Sequence, residues 1–385
     1  MSEWKEYRLG EIAEIIPGFA FKSKDFGQVG ELVVKIKDIA PPYIDLTNAD
    51  HVDLSSYDKN KLSKYLLCEG DYVVAMTGAT IGKVGKLKTD KYAYLNQRVA
   101  KIKAKEGVCD DFVYFSICGD DFQSFIQNNI DSNSAQENIS ANSIGRFPVS
   151  LPPLNEQRRI ASILSSLDDK IDLLHRENAT LELMAETLFR QWFVEEAKEE
   201  WEEGKLGDIC NYVTEKIDIG NVEISDYIST ENMCSNKQGI VQASSVPETG
   251  KATKYRIDDV LLSNIRPYFK KIWLADKDGG CSADVLCIRS RNEIHKFFTY
   301  YTIRQDEFFD YVMLGSKGCK MPRGDKSHIM NWPIIIPTKD ILLNFNRIVS
   351  DGIDKIRSNK QQIQTLIQTR DGLLPRLMNN EIKIA

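Results

Sequence analysis

The sequence predicts an α+β protein, internally duplicated, in which two mixed α and β globules are separated by two long antiparallel coiled-coil helices with approximate two-fold symmetry. Three observations predict it. Blocks of the N-terminal half return in order in the C-terminal half; each copy opens with short β-branched runs between Gly, Asn and Asp turns; each closes on an apolar repeat with steps of four and three.

The duplication comes first. "EWKEYRLGEI" at residues 3–12 returns as "EWEEGKLGDI" at 200–209, an offset of 197. "GDYVVAM" at 70–76 aligns with "DDVLLSN" at 258–264, offset 188, and "SIGRFPVSLP" at 143–152 with "HIMNWPIIIP" at 328–337, offset 185. The stepwise shrinkage means that the second copy has lost about a dozen residues relative to the first. The expected boundaries are 1–152 for the first globule, 153–197 for the first helix, 198–338 for the second globule and 339–385 for the second helix.

Within each globule, runs such as "YVVAM" and "VSLP" favour strands. The helices are read from their seams. Ile160, Leu164, Leu167, Ile171, Leu174, Asn178, Leu181, Ala185, Leu188 and Trp192 keep a heptad register. Phe345, Val349, Gly352, Ile356, Asn359, Ile363, Leu366, Arg370, Leu373 and Leu377 repeat it, weakened by Gly352, Arg370 and the helix breaker Pro375. Each seam carries one asparagine, Asn178 and Asn359, at neighbouring positions; a buried polar residue there costs stability and can fix partner and register. A rod of about 33 residues spans about 50 Å, and antiparallel pairing would place one globule at each end.

Composition permits two or three domains: 385 residues, 42% apolar and 9% aromatic. No stretch approaches a membrane span and the start lacks a signal peptide, so a cytoplasmic protein is expected. Eight cysteines without CxxC spacing and four scattered histidines give no metal site, and the cysteines read as reduced core thiols. Net charge is −6, but residues 59–105 hold eleven Lys or Arg against three acids, while "EEAKEEWEE" at 195–203 holds six acids and one lysine. Local fields decide where a polyanion docks.

"MTGATIGKVG" at 76–85 resembles a phosphate cradle but fails as a nucleotide P-loop: three residues, not four, separate Gly78 from Gly82, and Val84 follows Lys83. The repeat equivalent, "NIRPYFKKIW" at 264–273, has no glycine and keeps Lys271 opposite Lys83. "APPY" at 40–43 lacks the polar residue of an amino-methyltransferase loop. "GDKSH" at 324–328 sets Asp, Ser and His side by side, whereas triads converge in space. The chain reads as a binder without catalytic residues.

The duplication, "LPPLNEQRRIASILSSLDDKID" at 151–172 and the ending "LLPRLMNNEIKI" at 373–384 together give a pattern that resembles the DNA-specificity subunit of type I restriction-modification systems, over essentially the whole chain. The second copy departs from the spacer motif, since "IPTKDILLNFNRI" at 336–348 lacks the second proline and the Glu-Gln. The resemblance implies that each globule is a target-recognition domain reading one half of a split site in double-stranded DNA. It also implies that the helices set the gap and dock modification methyltransferase subunits, with restriction/translocase subunits joining. The chain itself would carry no cofactor, S-adenosylmethionine and ATP belonging to the partners.

Phosphate contacts position and base contacts specify. In the first globule Thr77, Thr80, Lys83 and Lys86 are expected at phosphate, and Asn96, Gln97, Arg98, Gln136 and Asn138 at bases. In the second, Ser263, Asn264, Arg266, Tyr268, Lys270 and Lys271 occupy the equivalent loop, joined by Lys317, Lys320 and Arg323. Replacing Lys83 or Lys271 by Ala is expected to weaken binding on every sequence, and replacing Arg98 or Arg266 to relax one position. Two rivals stay open: a scaffold whose globules bind proteins rather than DNA, and a recognition module of a methylation-only or phage-exclusion system.

Overall fold

Where the second copy repeats the first is settled strand by strand. The computed structural model describes residues 4–130, 137–316, 318 and 320–382. It divides into two compact units, Met1–Asp172 with Ile363–Ala385, and Leu173–Gln362, so that each unit combines one globule with a stretch of both long helices.

In the first unit the strands that build the site are β1 (Lys5–Arg8), β2 (Ala13–Pro17), β3 (Tyr72–Ala75), β4 (Val84–Lys86), β5 (Val99–Ala104) and β6 (Pro148–Leu151). β5 lies between β2 and β3, and β3 pairs with β4, all antiparallel. The sequence explains the order: "YVVA" of β3 is buried at every position, as a central strand covered on both faces must be. β1 and β6 close the globule as an antiparallel pair, Lys5 opposite Leu151. A second sheet of five strands packs alongside. Leu9, Tyr72, Phe112, Phe122 and Ile144 share one core with Ile160, Leu164, Leu374 and Leu377 of the long helices, so the globule is anchored on them by apolar burial.

The second unit repeats this plan with β7 (Glu202–Lys205), β8 (Cys210–Tyr212), β9 (Val260–Ser263), β10 (Ile272–Leu274), β11 (Val285–Ser290) and β12 (Pro333–Ile336). The order β8-β11-β9-β10 reproduces β2-β5-β3-β4, and the pair β7-β12 reproduces β1-β6; its second sheet has four strands where the first unit has five.

The long helices are α1 (Leu154–Arg190) and α2 (Lys339–Met378), about 55 and 60 Å at 1.5 Å per residue. In the first unit Arg370 donates to Asp168 at 2.9 Å. In the second, Asn359 meets Asn178 and Phe345 meets Phe189, so rising numbers on one helix oppose falling numbers on the other and the pair is antiparallel. The two seam asparagines bond each other, Asn359 Nδ2 donating to Asn178 Oδ1 at 2.8 Å and also to Glu177 Oε2 at 2.9 Å.

Two expectations are corrected. Pro375 does not break α2, which continues to Met378; Pro375 lies near the end and is exposed beside exposed Asp371, so the carbonyl left without its donor faces water. The cysteines are free, but only Cys210, Cys281 and Cys287 are core residues; Cys68 and Cys118 are exposed, Cys109 and Cys234 half-buried, and Cys319 lies outside the described residues. Burial pushes the Cys210 and Cys281 thiols up to about 12, which leaves them protonated and inert.

Candidate nucleic-acid interface

In both units the loop leaving the central strand is held by the same four backbone hydrogen bonds. In the first, Ala75 donates to Lys83, Met76 to Arg98, Gly78 to Glu137, and Met76 accepts from Ile139. In the second, Ser263 donates to Lys271, Asn264 to Asp284, Arg266 to Pro322, and Asn264 accepts from Gly324. Isolated bridges, Thr77 with Asn138 and Ile265 with Arg323, fall at matching places. Three segments far apart in sequence thus converge: the strand-exit loop, the start of β5 or β11, and the 137–139 or 322–324 segment. Lys271 stands where Lys83 does, as the sequence alignment required.

The glycines of the 76–85 loop acquire a conformational reason. Gly78 and Gly82 have φ of 74° and 82°, the left-handed region that only glycine enters without strain. Their equivalents Arg266 and Lys270 keep the same conformation, at φ 51° and 50°. What the two copies share is the turn and not a phosphate-cradling composition.

The side chains diverge. Thr77 is fully buried and gives its hydroxyl to the Glu137 carbonyl at 2.9 Å, so it fastens the loop from inside. The Thr80 hydroxyl is buried without a hydrogen-bond partner among the described residues. Lys83, Gln97 and Arg98 are exposed, and Asn96 is half-buried with its backbone tied to Val34 and Val99. Lys86 pairs with Asp111 at 2.6 Å over the Tyr114 ring. Asn138 is half-buried in its bridge, and Gln136 lies outside the described residues.

In the second copy Ser263 is buried and donates to the Ile265 carbonyl at 3.1 Å, and Asn264 Oδ1 is buried without a partner among the described residues. Arg266 and Tyr268 are exposed. Lys270 pairs with Asp306 at 2.8 Å, as does Lys237, and these two hydrogen bonds hold the Asp306 carboxyl below its usual range. Lys271 donates to the Thr230 carbonyl at 2.6 Å. Lys320 is exposed, Arg323 pairs with Asp284 at 3.2 Å, and Lys317 lies outside the described residues. Sequence reading missed Phe269, Lys237, Asp284 and Asp306. Phe269 could have been found from its neighbour Tyr268; the others join the site only through tertiary pairing.

The Asp-Ser-His run is a helix cap. The Asp325 carboxylate accepts the backbone N–H groups of Ser327 and His328, and His328 stacks on Tyr311 with ring centroids 3.9 Å apart.

A family model described as the type I restriction modification DNA specificity domain matches residues 1–183 and again residues 198–368. The chain belongs to that family. The two matches fall on the two copies. As a member of the specificity family it is 25% identical over 440 aligned residues to the type I restriction enzyme MjaIX specificity subunit of Methanocaldococcus jannaschii, covering 100% of this chain and 97% of that protein. It is 26% identical over 201 residues to the HindI specificity subunit of Haemophilus influenzae, covering 51% of this chain and 42% of that one. The crystal structure of the type I restriction-modification S subunit from M. genitalium superposes with a TM-score of 0.60 at 12% identity, covering 100% of this chain and 97% of that one, which shows a shared fold.

Proposed function

We propose that this chain is the DNA-binding specificity subunit of a type I restriction-modification complex. Each globule reads one half of an asymmetric bipartite site through its strand-exit loop and the two segments beside it. The long helices set the spacing between the halves and dock the methyltransferase subunits, which a restriction and translocation subunit joins. The chain contributes recognition; S-adenosylmethionine and ATP chemistry belong to the partners, and the complex works in the cytoplasm.

One observation carries this reading: a single backbone framework is built twice and dressed with different side chains at equivalent positions, Gly78 against Arg266, Thr80 against Tyr268, Gly82 against Lys270. A surface that reads two different half-sites needs such variation on a fixed scaffold.

The test is to co-express the chain with a candidate modification methyltransferase subunit from the same genome and map methylated adenines across the host genome by long-read sequencing. One motif of two unlike short blocks separated by a fixed run of unread bases supports the proposal. A formed complex that methylates nothing, or methylates without a split motif, favours the protein-binding scaffold, whose interactions would also lack the steep salt dependence of phosphate contacts.

A further inference from the structure

The second globule carries a concentration of backbone strain that the described residues of the first lack. Six non-glycine residues have left-handed φ among the described residues, and four of them, Asn236, Lys237, Arg266 and Lys270, meet at one loop. Asn236 and Lys237 donate their N–H groups to the carbonyls of Phe269 and Lys270, at 2.8 and 2.9 Å, so one strained pair supports the other. Glycine would relieve Arg266 and Lys270, and glycine is what the first copy has there. Strain kept where an unstrained residue is at hand marks side chains that serve another purpose.

Between the two strained residues stand Pro267, Tyr268 and Phe269. Tyr268 and Phe269 are 47% and 36% exposed, their ring centroids 4.6 Å apart and their planes tilted by 54°. The first copy has Thr80 and Ile81 at these places, and Ile81 is turned into the core. The aromatic pair is held firmly. Lys270 and Lys237 share Asp306, and buried Arg304 bonds the Lys237 carbonyl at 3.1 Å and pairs with Glu186 of α1. Exposed Arg266 stands next to the pair in sequence, and Asp306, Glu307 and Asp310 lie near Lys270 on the other side.

We propose that the loop 266–270 is an aromatic wedge that stacks on or enters a base step of the DNA bound by the second globule, beside the base read by Arg266, and that the first globule has no counterpart. The proposal rests on the DNA-reading function above. Two adjoining aromatic faces on a firmly held loop, with the exposed Arg266 beside them, suit an unstacked base. The consequence is a distortion confined to one half of the bipartite site.

The test uses the full chain assembled with its methyltransferase and duplexes carrying the mapped motif, with 2-aminopurine at successive positions across and beside each block. Away from the adenines that the methyltransferase itself flips, the wild-type complex should raise the fluorescence at one step, in the block read by the second globule only. The double variant Y268A/F269A should abolish that signal and weaken binding by about tenfold or more. The variant R266G, which relieves the left-handed strain without touching the Lys270–Asp306 pair, should raise the unfolding midpoint by about 2–4 °C while weakening binding, which a purely structural loop would not do. Unchanged fluorescence in Y268A/F269A, or a glycine variant that is more stable and binds as wild type, overturns the wedge and leaves DNA reading intact. A wild-type complex that retains no motif duplex overturns both.

Discussion

Lys83 and Lys271 hold the same place in two copies of one backbone and do different work. Lys83 is exposed, whereas the Lys271 ammonium is bound to the Thr230 carbonyl. Lys83→Ala should therefore lower the slope of log affinity against log salt by about 1. Lys271→Ala should leave that slope unchanged and cost about 1 kcal/mol of stability by orphaning a half-buried carbonyl. Salt titrations of DNA binding beside urea unfolding of the two variants separate the effects, and equal slopes for both variants would refute the distinction. The sequence equated the two lysines because their spacing from the strand is the same; the direction of each ammonium depends on Thr230, which no local pattern brings near. At His295 burial holds the imidazole below its ordinary 6.5, and its Nδ1 is buried without a hydrogen-bond partner among the described residues. The folded state resists protonation while the unfolded chain accepts it. The contribution to stability is thus complete above pH 6.5 and is lost as pH falls through the depressed folded value. Urea midpoints at pH 7.5 and 5.5 should differ less in His295→Gln than in the wild type, and an identical difference would sink the assignment.

At the scale of elements the heptad seams were the most legible feature, because a periodic pattern is local and survives any tertiary context. The seam also pointed to Asn178 and Asn359, though not to their meeting: an offset between neighbouring positions becomes a direct hydrogen bond only in the antiparallel register found. Asn359 is 1% exposed and bonds both Asn178 and Glu177. Asn359→Leu should cost about 1–3 kcal/mol by stranding those acceptors, whereas Asn178→Leu with Asn359→Leu should recover much of the loss. A double-mutant cycle by urea unfolding measures the coupling; additive single losses would mean that the pair does not act together. The loop between β3 and β4 was legible as a glycine turn, but its purpose was not. Only the φ values shared with Arg266 and Lys270 identify it as a required left-handed conformation, and nothing in "IRPYFK" announces that an arginine and a lysine adopt it. Pro375 misled because the rule against internal proline presumes a buried carbonyl one turn earlier, and here that turn lies at an exposed helix end.

For the whole molecule, net charge of −6 describes neither candidate surface, since cations gather around residues 59–105 and acids at 195–203. What matters more is that each unit has its own core. The cluster holding Tyr72 and Phe112 and the cluster holding Phe298 and Tyr301 draw their members from separate compact units. Substitutions at the two loops share no packing partner, so their effects on binding should add within about 0.5 kcal/mol. Gln97→Ala, at an exposed residue of the first site, should relax one block of the methylation motif, and Arg266→Ala the other. The double variant should relax both, with the number of unread bases between them unchanged because neither residue lies on α1 or α2. Methylation mapping of the three variants tests all of this at once. Relaxation of both blocks by either single change, or an altered gap, would mean that the two sites are read jointly rather than one per globule.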